Sequence, residues 1–206
     1  GFGSEYELEI TRPKDGTRVP VMITAMPEYD LRKKVVGSMA IVRPLALEKT
    51  TEAIRKHIDN IPNSREMLKA VAIEMHKVIP FDLFSVAVYT PDMTHVRGLF
   101  SYYPLREPGT QPLRRWWKMS PAMVKWSREK GLYNGRLDEL LAKEEWRDLN
   151  EEADIKRLLK ADLRSMVRYP IFREGKVIAS LVLFRQGDKG FDEAEVELLQ
   201  GLPMDK

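Results

Sequence analysis

The sequence predicts an α+β fold: an antiparallel sheet of five or six strands with helical cover, preceded by a small β-strand appendage and a linker helix. Three observations predict it. Apolar and polar residues alternate over residues 5–43, the period becomes helical between Leu45 and Ile61, and from Ser64 the order is helix, two strands, several helices, two strands, helix.

In the first segment Leu8, Ile10, Val19, Val21, Ile23 and Ala25 alternate with polar neighbours, and Asp15-Gly16 supplies a hairpin turn. A loop at Glu28 to Lys34 leads to a third apolar run, Val35 to Val42. Leu47, Thr51, Ile54, Ile58 and Ile61 then follow helical spacing up to Pro62. This linker helix reads either as a dimerising signalling helix or as one packed on its own domain. Ser64 is placed to cap a second helix, whose Leu68, Val71, Ala72, Met75 and Ile79 share a face before Pro80 ends it.

FDLFSVAVYT and THVRGLFSYY follow as two strands, the first apolar on both faces and so expected at the centre of the sheet. Between Pro104 and Leu163 no strand is predicted. SPAMVKWSREKG reads as a helix with Ser120 as N-cap, Pro121 at the first helical position and Gly131 as terminator. RLDELLAKEEWRDL and EEADIKRLLKA read as two further helices separated by Asn150. LRSMVRYPIF, a strand that Pro170 is read as closing, and VIASLVLFR form a hairpin around REGK, and Asp192 with Glu195 makes a reciprocal capping pair for a last helix that buries Val196, Leu199 and Leu202.

The 206 residues contain no cysteine, which removes disulfides, thiolate nucleophiles, cysteine-ligated zinc and thioether-linked chromophores. A net charge of +3 is too small to imply nucleic acid. No apolar run approaches the ~20 residues a bilayer needs, and GFGSEYELE is not a signal peptide, so the expectation is a cytosolic chain with no membrane insertion. His57, His76 and His95 fall on separate elements with no nucleophile elbow beside them, and no phosphate-cradling glycine loop occurs, so the chain is expected not to be an enzyme and to hold no metal.

The run KADLRSMVRYPIFREGKVIASLVLFRQGDKGFDEAEVELLQGL resembles the end of a GAF domain, with Ser165, Pro170, Gly175, Phe191 and Leu199 at the family's positions and Ala179 where it often has glycine. The resemblance extends over about residues 45–206. It implies a sheet covered by helices on both faces and a sensory role. Covalent bilin attachment, which that family performs through cysteine, is excluded here. FDEAE lacks the Asn-Lys partner of the cyclic-nucleotide-binding members and is read as structural. ELEITRPKDGTRVPVMITAMP and VVGSMAIV, about residues 5–43, resemble the closing strands of a PAS domain, although Arg43-Pro44-Leu45 replaces that family's usual Asp-hydrophobic-Thr ending. The resemblances together divide the chain into PAS-like strands (1–44), a linker helix (45–62) and a GAF-like sensory domain (63–206).

The most suggestive chemistry is RRWWKMSPAMVKW, where Trp116, Trp117, Met119, Met123 and Trp126 concentrate aromatic and soft surface beside Arg114, Arg115 and Lys118. With Tyr102, and with Arg97 and Arg168 on predicted strands, these are the candidate ligand-binding residues. An arginine on a covered sheet face must pair with an acid or bind an anion; at a sheet edge it is simply solvated. Ordinary core packing of the aromatic helix, or a stacking surface for single-stranded nucleic acid, are the other readings of that stretch. The resulting expectation is a piece of a sensory protein that binds a small molecule of unknown identity, dimerises through its terminal helices, and controls an output such as a histidine kinase or a cyclic-dinucleotide enzyme. A ligand-free dimerisation module and the effector domain of a transcription regulator are the alternatives.

Overall fold

The computed structural model describes residues 4–11, 13, 16, 18–105, 116–128, 131–146 and 153–202. They fall into two compact units, 1–56 and 57–206, divided inside the first helix.

In the first unit, β1 (Ser4–Thr11), β2 (Arg18–Tyr29) and β3 (Val35–Pro44) form an antiparallel sheet in chain order. The register sets Leu8 opposite Val21 and Ile23 opposite Val42. Val21 is buried, whereas Leu8, Ile10 and Val42 stay 51%, 43% and 49% exposed. Asp15 of the expected turn lies outside the described residues; Gly16 has a φ of 70°, which a residue without Cβ adopts freely. The second connection is shorter than the sequence suggests, because β2 continues through Tyr29. There the Asp30 carboxylate accepts the backbone N–H groups of Arg32 and Lys34 at 2.8 and 2.9 Å, which closes the loop tightly. Helix α1 (Leu45–Asn60) follows and ends before Pro62, with Ile54 fully buried.

The second unit runs α2 (Ser64–His76), β4 (Leu83–Tyr89), β5 (His95–Tyr102), β6 (Trp117–Lys118), α3 (Pro121–Arg128), β7 (Tyr133–Arg136), α4 (Leu137–Leu141), α5 (Ala153–Lys160), β8 (Leu163–Arg173), β9 (Lys176–Gln186) and α6 (Glu193–Gln200). Its six strands are antiparallel in the order β6-β5-β4-β9-β8-β7, so FDLFSVAVYT is central as expected. Side chains of a strand alternate between faces. On one face Leu83, Met166 and Phe184 pack with Leu137, Leu140 and Trp146 from the segment of α4. On the other, Phe84 meets Phe81, whose ring lies 4.7 Å from His76 of α2, and Arg185 reaches Glu195 of α6. The sheet is therefore covered on both faces.

Four details differ from the sequence reading. Asn63, one residue earlier than expected, caps α2: its side chain accepts from the N–H groups of Arg65 and Glu66, which leaves Ser64 as the first helical residue. The middle region does contain strands, β6 and β7. Each is only two or four residues long and exists through pairing at a sheet edge, with β5 and β8, so local propensity does not announce it. Pro170 does not close its strand, since β8 runs on to Arg173. Among the described residues pairing with β7 stops at Arg168, so Pro170 lies where β8 is an edge, the place in a sheet where a residue without an N–H is tolerated. Val196 is half-buried, whereas Leu199 and Leu202 are buried as expected.

Two of the other expected N-terminal caps are present, whereas α3 ends at Arg128 and the residues between it and Gly131, the expected terminator, lie outside the described ones. Ser120 Oγ accepts from the Met123 N–H at 3.2 Å, and Asp192 and Glu195 form a full capping box. Glu174 and Gly175 both have positive φ, 51° and 74°, the geometry of a tight two-residue hairpin turn.

His76 carries a pH dependence. Its Nδ1 accepts the Phe81 N–H at 3.2 Å, and its pKa is lowered by burial, with nearby Asp82 opposing and Arg185 adding to the shift. A histidine whose pKa falls on folding binds fewer protons in the native state, so stability is fully present above its unfolded value, ~6.5, and declines as the pH drops toward the folded value. Urea melts between pH 7.5 and 5 are expected to show this acid-side loss, and His76→Gln to flatten it. An unchanged slope in the variant would assign the effect to other groups.

Candidate ligand-binding site

The α3–α4–α5 face of the sheet is hollow at its centre. Leu83, Ser85, Ala87 and Tyr89 present every second side chain of β4 to that face. On β5 the pairing shifts between Val86/Phe100 and Ala87/Gly98, so Leu99 is an extra residue. This bulge changes the parity of the strand, and it is why Val96 and Gly98 before it share a face with Ser101 and Tyr103 after it. Cross-strand register then aligns Gly98, Ala87 and Ser180 in one row and Ser101, Ser85, Val182, Arg168 and Tyr133 in the next. Small side chains form the middle of this floor, while Trp126, Met123 and Trp146 hold the roof away from it. The result is a cavity of about 260 Å³. Close-packed cores hold few voids larger than a water molecule, so a space of this size is more than imperfect packing.

Arg168 lies in the wall of this cavity and is 1% exposed. Its Nε donates to Ser180 Oγ at 2.9 Å, and its two terminal nitrogens donate to the carbonyls of Trp126 and Ser127 at 3.3 and 2.7 Å. The guanidinium also stacks 4.5 Å above the Trp126 ring, which itself meets Tyr133 and Trp146 edge-on. Ser180 Oγ is shared with the Tyr89 hydroxyl at 2.8 Å. Among the described residues no carboxylate pairs with Arg168. Two other cavity-wall groups, Ser127 Oγ and Trp117 Nε1, are buried and have no hydrogen-bond partner among the described residues.

Of the candidate residues read from the sequence, Trp117, Met123, Trp126 and Arg168 come together around this cavity. The others do not. Arg97 alternates to the opposite side of β5 and stacks on Trp116 at 4.9 Å, with its Nε buried and without a partner among the described residues and Trp116 40% exposed. Tyr102 sits opposite Phe84 at the end of β5. Met119 is buried beside a separate open groove that also includes Lys118, Lys125 and Arg128. Arg114 and Arg115 lie outside the described residues. Among the described residues no group of acidic, histidine or cysteine side chains could hold a metal ion, and no helix is long and apolar enough to cross a membrane.

Residues 63–202, which hold the six-stranded sheet and the hollow on its face, match the family profile described as GAF domain. The chain belongs to the GAF domain family. The match starts after α1 and does not extend over the PAS-like strands. Among solved structures, the chain is similar to the phycocyanobilin-bound GAF domain of a cyanobacterial phytochrome, with a TM-score of 0.56 and 15% identity, covering 77% of this chain and 90% of that one. It is similar to the GAF domain of an Acinetobacter phosphoenolpyruvate-protein phosphotransferase, with a TM-score of 0.55, 16% identity, and 76% and 87% covered. The GAF domain of the corresponding protein from Coxiella burnetii gives 0.53 and 17%, with 75% and 86% covered. No curated protein matches the chain significantly. At these identities the structural likeness shows the fold alone.

Within this GAF domain, the sequence reading missed the floor and the polar wall: Ser85, Ala87, Gly98, Ser101 and Ser127. A signal for the first two was present. In FSVAVYT every second residue from Ser85 is small or hydroxylated, and reading the strand as apolar on both faces hid that stripe. Ser127 had none, because its position depends on how α3 docks.

Proposed function

We propose that this GAF domain is a non-catalytic sensory module whose cavity, between the sheet and α3–α5, binds a small molecule noncovalently. The observation that carries the proposal is the void itself: a floor of small side chains under a roof of two tryptophans and a methionine, with polar groups of its wall left unpaired among the described residues. The family resemblance agrees with it. A phytochrome relative holds phycocyanobilin, but this chain has no cysteine to tether a bilin, and about 260 Å³ is too little for four linked pyrrole rings. In this proposal, occupancy of the cavity moves α3 against the sheet and shifts the terminal helices α1 and α6, which pair in a homodimer. The change then passes to an output such as a histidine kinase or a cyclic-dinucleotide enzyme. The strands β1 to β3, which resemble the closing edge of a PAS domain, would sit upstream in that relay.

A thermal-shift screen over metabolites with the whole chain tests the cavity, paired with Ala87→Leu. The larger side chain fills the floor, so the variant should keep or gain up to about 2 kcal/mol of stability and lose every ligand-induced shift. A shift that survives Ala87→Leu would place binding elsewhere, and a blank screen would favour a packed interaction module.

A further inference from the structure

The wall chemistry narrows the ligand class, on the reading that the cavity is a binding site. Arg168 cannot lose its proton in a protein and is sealed from water, so its charge needs an internal counterpart. What it has is a serine hydroxyl and the carbonyls of Trp126 and Ser127, which belong to the last turn of α3. A helix C-terminus supplies roughly half a negative charge, which leaves a net positive site in an apolar enclosure. Of the five guanidinium N–H groups, three are committed to these bonds. Beside them, Ser127 is 1% exposed and its hydroxyl meets no partner among the described residues, so a second donor opens on the same cavity. The Trp117 indole N–H is a third orphan donor in its wall. The rest of the lining is mostly aromatic or aliphatic, broken by a second cation, Arg157, and by the hydroxyls of Ser85, Tyr89, Ser101 and Tyr103.

We propose that the ligand is a small organic acid with an apolar body, its carboxylate received by Arg168 and Ser127 and its body held against Trp126, Trp146 and Met123. Carboxylate matches the site better than a free inorganic anion, because most of the wall beyond Arg168 and the orphan donors is aromatic or aliphatic surface that suits an apolar body. Size follows from volume: about 260 Å³ compares with the roughly 150 Å³ of an engineered apolar cavity that admits benzene, so the body spans one to two rings or a medium aliphatic chain. The site also links occupancy to structure. An incoming carboxylate competes with the carbonyls of Trp126 and Ser127 for the same guanidinium, and so loosens the end of α3 that Arg168 holds.

The test uses the whole chain and matched neutral probes. Phenylacetate, 3-phenylpropionate and octanoate are titrated calorimetrically beside their primary amides, which keep size and shape and lack the charge. At least one acid is expected to bind about 10- to 100-fold more tightly than its amide, the range for a charge-assisted hydrogen bond. Arg168→Met should remove that preference, and Ser127→Ala should weaken the acid about tenfold while leaving the fold intact; the second variant carries the result if the first does not fold. Amides that bind as well as their acids would overturn the inference while leaving the cavity reading in place. Failure of all acids overturns it too, and if the metabolite screen is also blank, the cavity reading falls with it.

Discussion

Arg185→Ala is expected to destabilise the second unit by about 3–5 kcal/mol, the cost of removing one partner from a buried ion pair, measured as a loss of free energy in guanidinium melts. Arg185 is 5% exposed on the face of β9 opposite the cavity. Its terminal nitrogens make a two-pronged contact with Glu195 of α6 at 2.8 and 2.5 Å. Nε and one terminal nitrogen converge on the Pro80 carbonyl at 2.8 and 2.6 Å, another bond reaches the Gly190 carbonyl at 2.9 Å, and Phe191 lies 4.2 Å under the guanidinium. One side chain thus ties together the end of the α2–β4 connection, the loop before α6 and α6 itself. Truncation leaves the largely buried Glu195 carboxylate without its cation and a proline carbonyl without its donors. Glu195 also closes the capping box, so α6 should loosen along with the loop. Arg185→Met, which keeps the apolar stem over Phe191, should cost less. Equal losses for both would mean that packing, not the ion pair, holds α6.

That lock is partly legible in sequence: the Asp192–Glu195 capping pair follows from spacing and the family resemblance marks Phe191, whereas Arg185 gives no sign of its role because its partners come from residues 80, 190 and 195. The same division holds across the fold. Long elements with a clear period, such as α1, β4, β8 and β9, are specified locally by which residues must be covered. β6 and β7 are not, since two or four residues become a strand only when a finished sheet edge offers them partners. The candidate site divides in a similar way. Trp126 and Arg168 stand out by type, because a large aromatic surface and a strand arginine both need an explanation. Whether Arg97 shares their face is decided by alternation on β5, and the bulge at Leu99 resets that alternation by one residue. A parity change of this kind is set by strand pairing and leaves no mark in the sequence of the strand that carries it.

Trp126→Ala is expected to cost about 3 kcal/mol, near the lower end of the ~3–5 range for truncating a buried aromatic side chain, and to abolish ligand-induced thermal shifts at the same time. The lower figure follows from position: the Trp126 ring already borders a void, so fewer of its contacts are with protein than in a filled core. What it does contact is specific. Tyr133 and Trp146 meet it edge-on at 5.6 and 5.4 Å, and Arg168 covers its face at 4.5 Å. Without the ring Arg168 loses its stacking surface, the roof between α3 and α4 widens, and the cavity floor, already half-buried rather than sealed, is exposed further to water. Trp126→Phe separates the two effects, because it keeps an aromatic face for Arg168 with less area. Its stability should fall by about 1 kcal/mol while acid binding persists at reduced affinity. If Trp126→Ala were as stable as the parent chain, the aromatic roof would not be a packed part of the fold, and the cavity would be an open cleft whose shape depends on its occupant.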